Sequence, residues 1–556
     1  MKKRFYPFLE RIEKPLVTSS GRTPLLRRGA GGEVITKVTI LLTFVALLAC
    51  NPTAKNPDTR PNIIVVLVDD MGFSDIGCYG SEIATPNIDK LGLNGIRFTQ
   101  FYNAARCCPS RASLLTGLYP HQAGMGGMVA THGRVREPGA YQGWLSQNSV
   151  TLAEVLKQTG YNTYMAGKWH VGEDSLDWPV KRGFDKYFGL ISGACSYFEI
   201  LPNRKIVNQN SLCTSLPEGF YMTHAVTDSA ASFVNEGLRS EKPFFLYLAY
   251  TAPHWPLHAV KDKIEEYRGK YLVGWDSIRT ARHQKQLALG LFNEPVSLSP
   301  RDEVVPAWDE VANKDEWDLK MAVYAAMMES VDDGIGKLVR QLEQAGQLDN
   351  TMILFLSDNG ACHETLESRI DKDLKEFSSI AKTIPAGEKG SYTTYGKEWA
   401  NASNTPFRLY KHWTHEGGIA TPLIIHYPKL IPRARIENAP SHLIDIMPTV
   451  VELTGSKYPT QFNSFAIQSM EGRSLIPLLT ESSWVGHDFL YWEHEGSRAV
   501  RSENWKLVSE PGKDWELYNI KNDRSELNNL SKTYRDTVAL LSAEYEAWAI
   551  RMGVRE

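Results

Sequence analysis

Short apolar runs, each bounded by turn residues, alternate with segments of helical periodicity along the first 480 or so residues of this 556-residue chain. Such alternation is typical of an α/β fold with a largely parallel sheet flanked by helices. The strands predicted from these runs are Ile63–Val68, Tyr161–Met165, Phe244–Ala249, Met352–Leu356 and Leu423–His426. Several polar residues follow the carboxyl ends of these runs, where open α/β sheets bind their ligands.

Helices are predicted where apolar residues recur at helical spacing between start and stop signals. Thr151 and Glu154 form a capping box ahead of one of them, and Gly160 ends it. The predicted helices are Leu152–Gln158, His224–Leu238, Leu319–Ala345 and His442–Thr454. The segments 255–315 and 361–405 are polar, and we expect irregular loops there that form the walls of a binding site.

The pattern changes near Trp484, because short turn-separated strands replace the longer α/β units. These strands are predicted at Phe489–Trp492, Ser497–Arg501, Lys506–Ser509 and Glu516–Asn519, followed by a helix at Thr533–Met552. They predict a smaller C-terminal α+β domain, residues 484–556, in which one helix covers an antiparallel sheet. The larger domain then comprises residues 60–483.

The amino terminus resembles an export signal. Val38–Ala49 is apolar but shorter than the roughly 20 residues that span a bilayer, as in the hydrophobic part of a signal peptide. The ending Leu47–Cys50 resembles a bacterial lipobox, which predicts lipidation of Cys50 and a tether at residues 51–59. An ordinary signal peptide is the alternative. Residues 1–33 do not resemble the start of a signal and are interpreted as translated upstream sequence; either way we expect a periplasmic or cell-surface protein.

The composition limits which classes of molecule this protein is expected to bind. The formal net charge is −3 and no long basic run follows the leader, which disfavours a nucleic-acid partner. Seven cysteines are present. A Cys195–Cys213 disulfide is compatible with export, but free buried thiols are the default expectation.

Carboxylates and an amide follow two of the predicted strands. Asp69 and Asp70 end one, and Asp358 and Asn359 follow another. Each pair alone would usually be a turn. Adjacent carboxylates repel each other unless a cation lies between them, and an all-oxygen set favours Ca²⁺ over Zn²⁺.

Cys107 begins the run Cys107–Arg111 (CCPSR), which continues to Leu-Thr-Gly at Gly117. The proline and the apolar residues that follow place this cysteine at a helix amino terminus, where backbone N–H groups favour an anion. The run resembles the maturation signature of type I sulfatases of the alkaline-phosphatase superfamily, Cys-x-Pro-Ser-Arg followed by Leu-Thr-Gly. The resemblance implies an alkaline-phosphatase-like fold and oxidation of Cys107 to formylglycine by a maturation enzyme. The hydrated aldehyde would then be the nucleophile.

The same resemblance, which extends from about Arg60 to the carboxyl terminus, implies a calcium site. Its ligands would be Asp69, Asp70, Asp358 and Asn359, completed by residue 107 and the sulfate of the substrate. One departure concerns Cys108, which fills the variable position of the signature, so the choice of converted thiol rests on the Pro-Ser-Arg spacing.

The resemblance also implies the catalytic roles. Lys168 and Lys411 would hold sulfate oxygens, and Arg111 would hold the formylglycine diol. His254 with Lys411 would protonate the leaving oxygen, and His170 would contact the diol and assist the release of sulfate. A second departure is that residues 419–422 (IATP) lack the arginine common before this proline.

The expected activity is hydrolysis of aryl or carbohydrate sulfate monoesters. One alternative is a formylglycine-dependent phosphodiesterase or phosphonate monoester hydrolase; phosphatases with histidine-rich zinc sites are disfavoured, since the predicted ligands contain no histidine. Another is a non-catalytic glycan-binding lipoprotein. Further pocket contacts are sought at His412, His415, Glu493, His494 and Glu495.

Overall fold

The computed structural model describes residues 58–131, 136–292, 294, 296–365 and 383–555. The chain from Asp58 onward forms one compact unit. Within these ranges no helix combines the length and the apolar character that crossing a membrane requires. The predicted signal, Val38–Ala49, the lipidation site Cys50 and most of the tether lie outside the described residues.

A large sheet of eleven strands organises the fold. Its strand order is β10-β2-β9-β8-β1-β7-β3-β4-β5-β6, with β11 paired to β2. The strands are β1 (Asn62–Asp69), β2 (Ile96–Tyr102), β3 (Asn162–Gly167), β4 (Lys186–Leu190), β5 (Ile206–Asn208), β6 (Ser211–Leu212), β7 (Phe244–Pro253), β8 (Thr351–Ser357), β9 (Ala420–His426), β10 (Arg435–Glu437) and β11 (Ser441–His442).

The centre of the sheet is parallel, as predicted. β1 pairs in parallel with β7 and β8, and β3 does so with β7 and β4. β9 runs antiparallel to β2 and β8, and β5 antiparallel to β4 and β6. The carboxyl ends of β8, β1, β7 and β3 therefore meet at one edge, which is where such sheets bind ligands.

Helices cover both faces of this sheet. Alternate β1 residues belong to two different cores: Ile64 and Val66 point into one, and Ile63 and Val65 into the other. This burial on both faces explains the unbroken apolar run of β1. The helices are α1 (Pro86–Leu93), α2 (Cys107–Thr116), α3 (Leu152–Gln158), α4 (Met222–Arg239), α5 (Lys261–Tyr267), α6 (Trp275–Ala288), α7 (Lys314–Gln344), α8 (Gly396–Ser403), α9 (Glu416–Ile419), α10 (Ile446–Thr454), α11 (Ile476–Leu479) and α12 (Arg535–Met552).

The expectation of irregular loops at 255–315 and 361–405 is wrong in part. The first segment contains α5 and α6, and the second ends in α8. Helix α6 escaped the pattern because much of its inward face is polar: Arg279, Arg282 and Gln286 are buried there. Arg282 pairs with Asp75 at 2.6 Å and with Glu82 at 2.8 Å, so ion pairs replace the apolar stripe that hydrophobic periodicity detects.

The C-terminal strands form the predicted antiparallel sheet with a covering helix. β12 (Gln461–Phe462) and β13 (Phe465–Ala466) make a separate hairpin ahead of it. The sheet contains β14 (Leu490–His494), β15 (Ser497–Ser502), β16 (Trp505–Ser509) and β17 (Glu516–Asn519), and α12 packs on β15. It is joined to the large sheet by buried polar contacts, such as the indole N–H of Trp492 donating to the Asn103 carbonyl at 2.7 Å. A domain boundary at 484 stays a prediction.

Candidate active site

The predicted site residues lie at the carboxyl edge of the central strands. Six of them lie at or directly after the end of a buried parallel strand, so four distant parts of the sequence meet there. The residues are Asp69 and Asp70 at the end of β1, Lys168 after β3, His254 after β7, and Asp358 with Asn359 after β8.

Two backbone features let the chain leave these strands. Asp70 has φ 68°, a left-handed conformation rare outside glycine, which breaks the side-to-side alternation of a strand and lets adjacent carboxylates serve one site. Gly167 has φ 110°, and a Cβ there would lie 1.8 Å from the Ala249 carbonyl oxygen. Only glycine fits against the neighbouring strand at the point where Lys168 enters the site.

Cys107 is the first residue of α2, as the sequence predicts, and it is buried. The hydrogen bond with Cys108 is the main cause that lowers the pKa of the Cys107 thiol well below its usual value. The charges of Lys168 and Lys411 act in the same direction, while burial opposes them. Residue 107 thus lies in surroundings that stabilise negative charge, which suits a nucleophile.

Arg111 binds the carboxylate of Asp358, and Lys168 binds that of Asp69. Arg111 donates from Nε and Nη2 to Asp358 Oδ2 at 3.0 and 2.8 Å, and from Nη1 to the Lys168 carbonyl at 2.8 Å. Lys168 Nζ donates to Asp69 Oδ2 at 2.6 Å. All four side chains are inaccessible to solvent.

Lys411 and His254 converge on Asp70. Lys411 Nζ lies 2.8 and 2.9 Å from the two oxygens of Asp70, and His254 Nε2 lies 3.4 Å from Oδ2. Asn359 Nδ2 donates to Asp70 Oδ1 at 2.7 Å. The structure therefore brings the four predicted oxygen ligands into one network with four of the catalytic candidates, namely Arg111, Lys168, Lys411 and His254.

Two oxygens in this network have no hydrogen-bond partner among the described residues. They are Asp69 Oδ1 and Asn359 Oδ1, and both are buried. Buried polar atoms in native proteins almost always have partners. The three carboxylates already face three side-chain cations, so a divalent ion would leave the site positively charged and ready for an anionic substrate.

The electrostatics of the site follow from its burial. Burial and the nearby Asp69 carboxylate raise the pKa of Asp358 to about 8, a repulsion that a cation between them would relieve. Burial lowers the pKa of both His170 and His254 to about 4, so both rings are neutral in the free protein. Lys411 keeps its ammonium form: burial opposes it, but the Asp70 charge raises the pKa of Lys411 well above its usual value.

His170 contacts Cys108, a neighbour that the family resemblance did not imply. The Sγ of Cys108 lies 3.3 Å from Nε2 of His170. All six cysteines among the described residues are free thiols, including Cys195 and Cys213, and all but the half-buried Cys213 are buried.

A cavity of about 630 Å³ opens onto the site, with Cys107, His170, His254 and Lys411 in its wall. Its wall also contains residues that the sequence pattern did not single out: Arg106, Glu173, Arg204, Trp255 and Glu364. Arg106 pairs with Glu364 at 2.7 Å, and Trp255 donates to the same carboxylate at 3.1 Å. The sequence feature that could have identified Arg106 as a cavity residue is its position directly before Cys107.

The five further pocket candidates do not line this cavity. Glu493 accepts from His121 Nε2 at 2.7 Å, and His415 Nε2 lies 3.1 Å from Glu516. His412, His494 and Glu495 form a cluster of their own, described below.

Comparison with known proteins assigns the family. The family model described as Sulfatase matches residues 61–456, which include every residue of the network above. This chain belongs to the sulfatase family. A second model, N-sulphoglucosamine sulphohydrolase, C-terminal, matches residues 407–547 of this sulfatase.

Relatives of this sulfatase cover most of its length. It is 36% identical over 532 residues to an uncharacterised sulfatase of Schizosaccharomyces pombe, a match that covers 88% of this chain and 93% of the relative. It is 35% identical over 408 residues to an arylsulfatase of Klebsiella aerogenes, covering 71% and 87% of the two chains.

Solved crystal structures are also similar to this sulfatase. The crystal structure of Ps i-CgsB is similar, with a TM-score of 0.65 and 28% identity over 88% of this chain and 93% of that one. Ps i-CgsB is also known in complex with k-i-k-neocarrahexaose. The protein is therefore a sulfatase-family enzyme that hydrolyses sulfate esters, and its fold is the alkaline-phosphatase-like one that the sequence predicts.

Proposed function

We propose that this sulfatase hydrolyses carbohydrate sulfate monoesters with a formylglycine derived from Cys107, next to a calcium ion. The observation that carries the proposal is the oxygen-rich network at the tips of β1 and β8 beside a charge-stabilised Cys107. The ligands would be Asp69, Asp70, Asp358, Asn359 and residue 107.

The donor set fits a hard cation. Its protein ligands are carboxylate and amide oxygens, which suit Ca²⁺ rather than Zn²⁺. The unpartnered oxygens of Asp69 and Asn359 give such an ion two buried ligand atoms that no described residue satisfies. When bound, calcium would neutralise charge on the sulfate and help orient it, and the formylglycine would supply a hydroxyl as nucleophile.

The remaining chemistry falls to side chains of this chain. Arg111 fixes Asp358 and, through its contact with the Lys168 carbonyl, the start of the loop that holds Lys168. Lys168 and Lys411 present fixed ammonium groups for the non-bridging oxygens of sulfate. His254 lies 3.4 Å from Asp70 in the cavity wall and its ring is neutral in the free protein, so we assign it to proton delivery to the leaving oxygen together with Lys411, whose ammonium group holds the proton. His170, also in the wall, is assigned to the diol and sulfate release.

The cavity supports a carbohydrate rather than a small aryl substrate. At about 630 Å³ it has room for more than one ring, and its wall combines charged side chains such as Glu173 and Arg204 with apolar ones such as Met128 and a single indole, Trp255. Arg204 has no ion-pair partner among the described residues and is available to a second anionic group. The similarity to Ps i-CgsB, a protein solved with a neocarrahexaose, points the same way.

We also propose export and lipid anchoring through Cys50, and conversion of Cys107 by a formylglycine-generating enzyme. Both rest on the sequence alone: the lipobox-like Leu47–Cys50 and the Cys-x-Pro-Ser-Arg run.

The test compares initial rates on a panel: sulfated mono- and oligosaccharides, an aryl sulfate, and an aryl phosphodiester. The protein is produced with the maturation enzyme and assayed with calcium, then after removal of calcium by a chelator and after its return. We expect the highest kcat/KM on a sulfated saccharide, loss of activity in the chelator and recovery with Ca²⁺.

Cys107→Ala and Cys108→Ala form a matched pair of variants, since the two thiols are adjacent and both buried. Cys107→Ala should abolish turnover with the fold intact, whereas Cys108→Ala should retain much of it. A preference for the phosphodiester, or full activity of Cys107→Ala, would contradict the proposal.

A further inference from the structure

Two histidines and a carboxylate meet where the loop after Tyr410 contacts the hairpin that joins β14 and β15. We call His412, His494 and Glu495 the two-histidine cluster. Glu495 Oε2 lies 3.3 Å from His412 Nδ1 and 3.8 Å from His494 Nε2. The three ligand atoms all lie within 4.8 Å of one another.

These separations suit one small metal ion. Tetrahedral Zn²⁺ has bonds near 2.0–2.1 Å to histidine nitrogen and carboxylate oxygen, which places neighbouring ligand atoms about 3.4 Å apart. The two distances to Glu495 bracket this value, and the third pair of ligand atoms lies within 4.8 Å. Small side-chain rotations would therefore close the cluster around an ion, with the fourth position left for water.

His494 gives the second, independent observation. Its side chain is fully inaccessible to solvent, yet neither ring nitrogen has a hydrogen-bond partner among the described residues. Native proteins rarely leave both nitrogens of a buried imidazole without a partner. A metal ion at Nε2 would supply the partner that this nitrogen lacks.

We propose that the two-histidine cluster binds a divalent transition-metal ion of the Zn²⁺ class, separate from the oxygen-rich site at the strand tips. Two imidazoles and one carboxylate are the ligands that zinc, cobalt and nickel prefer, whereas calcium takes oxygen. The charge of Arg106 acts on this cluster and opposes a cation. Its ion pair with Glu364, at 2.7 Å, offsets that charge.

The position of the cluster indicates a supporting role. None of its three residues lines the substrate cavity. His412 directly follows Lys411, and its backbone N–H donates to the Ala105 carbonyl at 2.8 Å, two residues before Cys107. A bound ion would tie this loop to the C-terminal sheet and so help hold Lys411 in place.

The experiment measures Zn²⁺ binding to metal-free full-length protein by competition with a chromophoric chelator. Excess Ca²⁺ is present throughout to occupy the oxygen-rich site. The variants are Glu495→Gln and, as the matched control, Glu503→Gln. Both glutamates are exposed and lie in hairpin turns, with φ 49° and 48°, but no histidine pairs with Glu503 among the described residues.

We expect wild type and Glu503→Gln to bind one more equivalent of Zn²⁺ than Glu495→Gln, or to bind it at least about tenfold more tightly. Zn²⁺ should also raise the melting temperature of wild type and Glu503→Gln more than that of Glu495→Gln. His412→Asn, on a half-buried side chain, should behave like Glu495→Gln.

Cys107, Cys108 and His170 also lie close enough to hold an ion in unconverted protein, so the two sites must be told apart. Co²⁺ distinguishes them, because thiolate ligands give a near-ultraviolet sulfur-to-metal charge-transfer band that nitrogen and oxygen ligands lack. Visible Co²⁺ bands without that component, lost in Glu495→Gln, would support the proposal. Equal Zn²⁺ binding by wild type and Glu495→Gln, or Co²⁺ bound only with the sulfur band, would overturn it.

Discussion

Glu416 joins the large sheet to the C-terminal sheet through a buried ionic network, and its replacement by glutamine tests that connection. Its Oε1 accepts from Lys506 Nζ at 3.0 Å. Its Oε2 accepts from Arg524 Nε at 2.7 Å and from the Tyr102 hydroxyl at 3.0 Å. The backbone N–H of Glu416 donates to Glu526 at 2.8 Å, and all of these side chains are buried.

The loss of folding stability expected for Glu416→Gln can be derived in two ways, from the broken ion pair and from the pKa of Glu416. Glu416→Gln leaves Arg524 buried without its carboxylate, while Lys506 keeps Glu526 at 2.8 Å. Breaking a buried ion pair on one side costs about 3–5 kcal/mol. Burial alone would raise the pKa of Glu416, but Lys506 and Arg524 outweigh it and hold that pKa at about 2. Relative to an ordinary glutamate near 4.3, this corresponds to about 3 kcal/mol.

The assay is the melting temperature at neutral pH, measured by calorimetry. For a unit of roughly 500 residues the unfolding entropy is about 1 kcal/mol/K, so the variant should melt about 3–5 °C below wild type. Glu503→Gln, at an exposed turn, is the control and should not change the melting temperature.

The contribution of Glu416 to folding stability should fall in acid. Because the folded pKa of Glu416 is lowered, its contribution is present above the unfolded pKa and is lost as pH falls from about 4.3 towards about 2. The difference between wild type and Glu416→Gln should shrink over that range. Equal melting temperatures at neutral pH, or a difference unchanged in acid, would refute the reasoning.

Three further changes test the site. Arg111→Lys keeps the charge but not the three N–H bonds to Asp358 and the Lys168 carbonyl, so kcat should fall about 100-fold in a folded protein; unchanged kcat would contradict this. Gly167→Ala should abolish activity and lower the melting temperature, because its Cβ would lie 1.8 Å from a strand carbonyl oxygen, and a stable active variant would refute that close approach. Arg204→Gln should raise KM for a multiply sulfated saccharide and leave KM for an aryl sulfate unchanged; equal changes for both would remove Arg204 from substrate recognition.

The central strands could be predicted from the sequence because they are buried on both faces. Ile63–Val68 reads as an unbroken apolar run for that reason, and the observed strand extends it by one residue at each end. The capping box of Leu152–Gln158 was equally local, and both of its hydrogen bonds form. Helix α6 was missed because its buried face carries arginines whose partners are distant in sequence.

Part of the candidate site could likewise be predicted from the sequence, and part of it could not. Asp69, Asp70, Asp358 and Lys168 were predictable because each lies at the end of a strand or directly after it, and strand ends meet at one edge of the sheet. The remainder of the cavity wall was not predictable, because it depends on contacts between residues far apart in the chain. The Arg106–Glu364 ion pair is one such contact.

The central claim is that residue 107 acts as a converted cysteine. Trypsin cleaves after Arg106 and Arg111, which isolates Cys107–Arg111 as one peptide whose mass reports the exchange of the thiol for an aldehyde. The decisive measurement is turnover of a sulfate ester against the converted fraction of this peptide, in preparations made with increasing amounts of maturation enzyme. We predict a straight line through the origin, with the aldehyde at Cys107 and the thiol retained at Cys108. Full turnover in protein whose peptide is wholly unconverted, or an aldehyde at Cys108, would contradict the account.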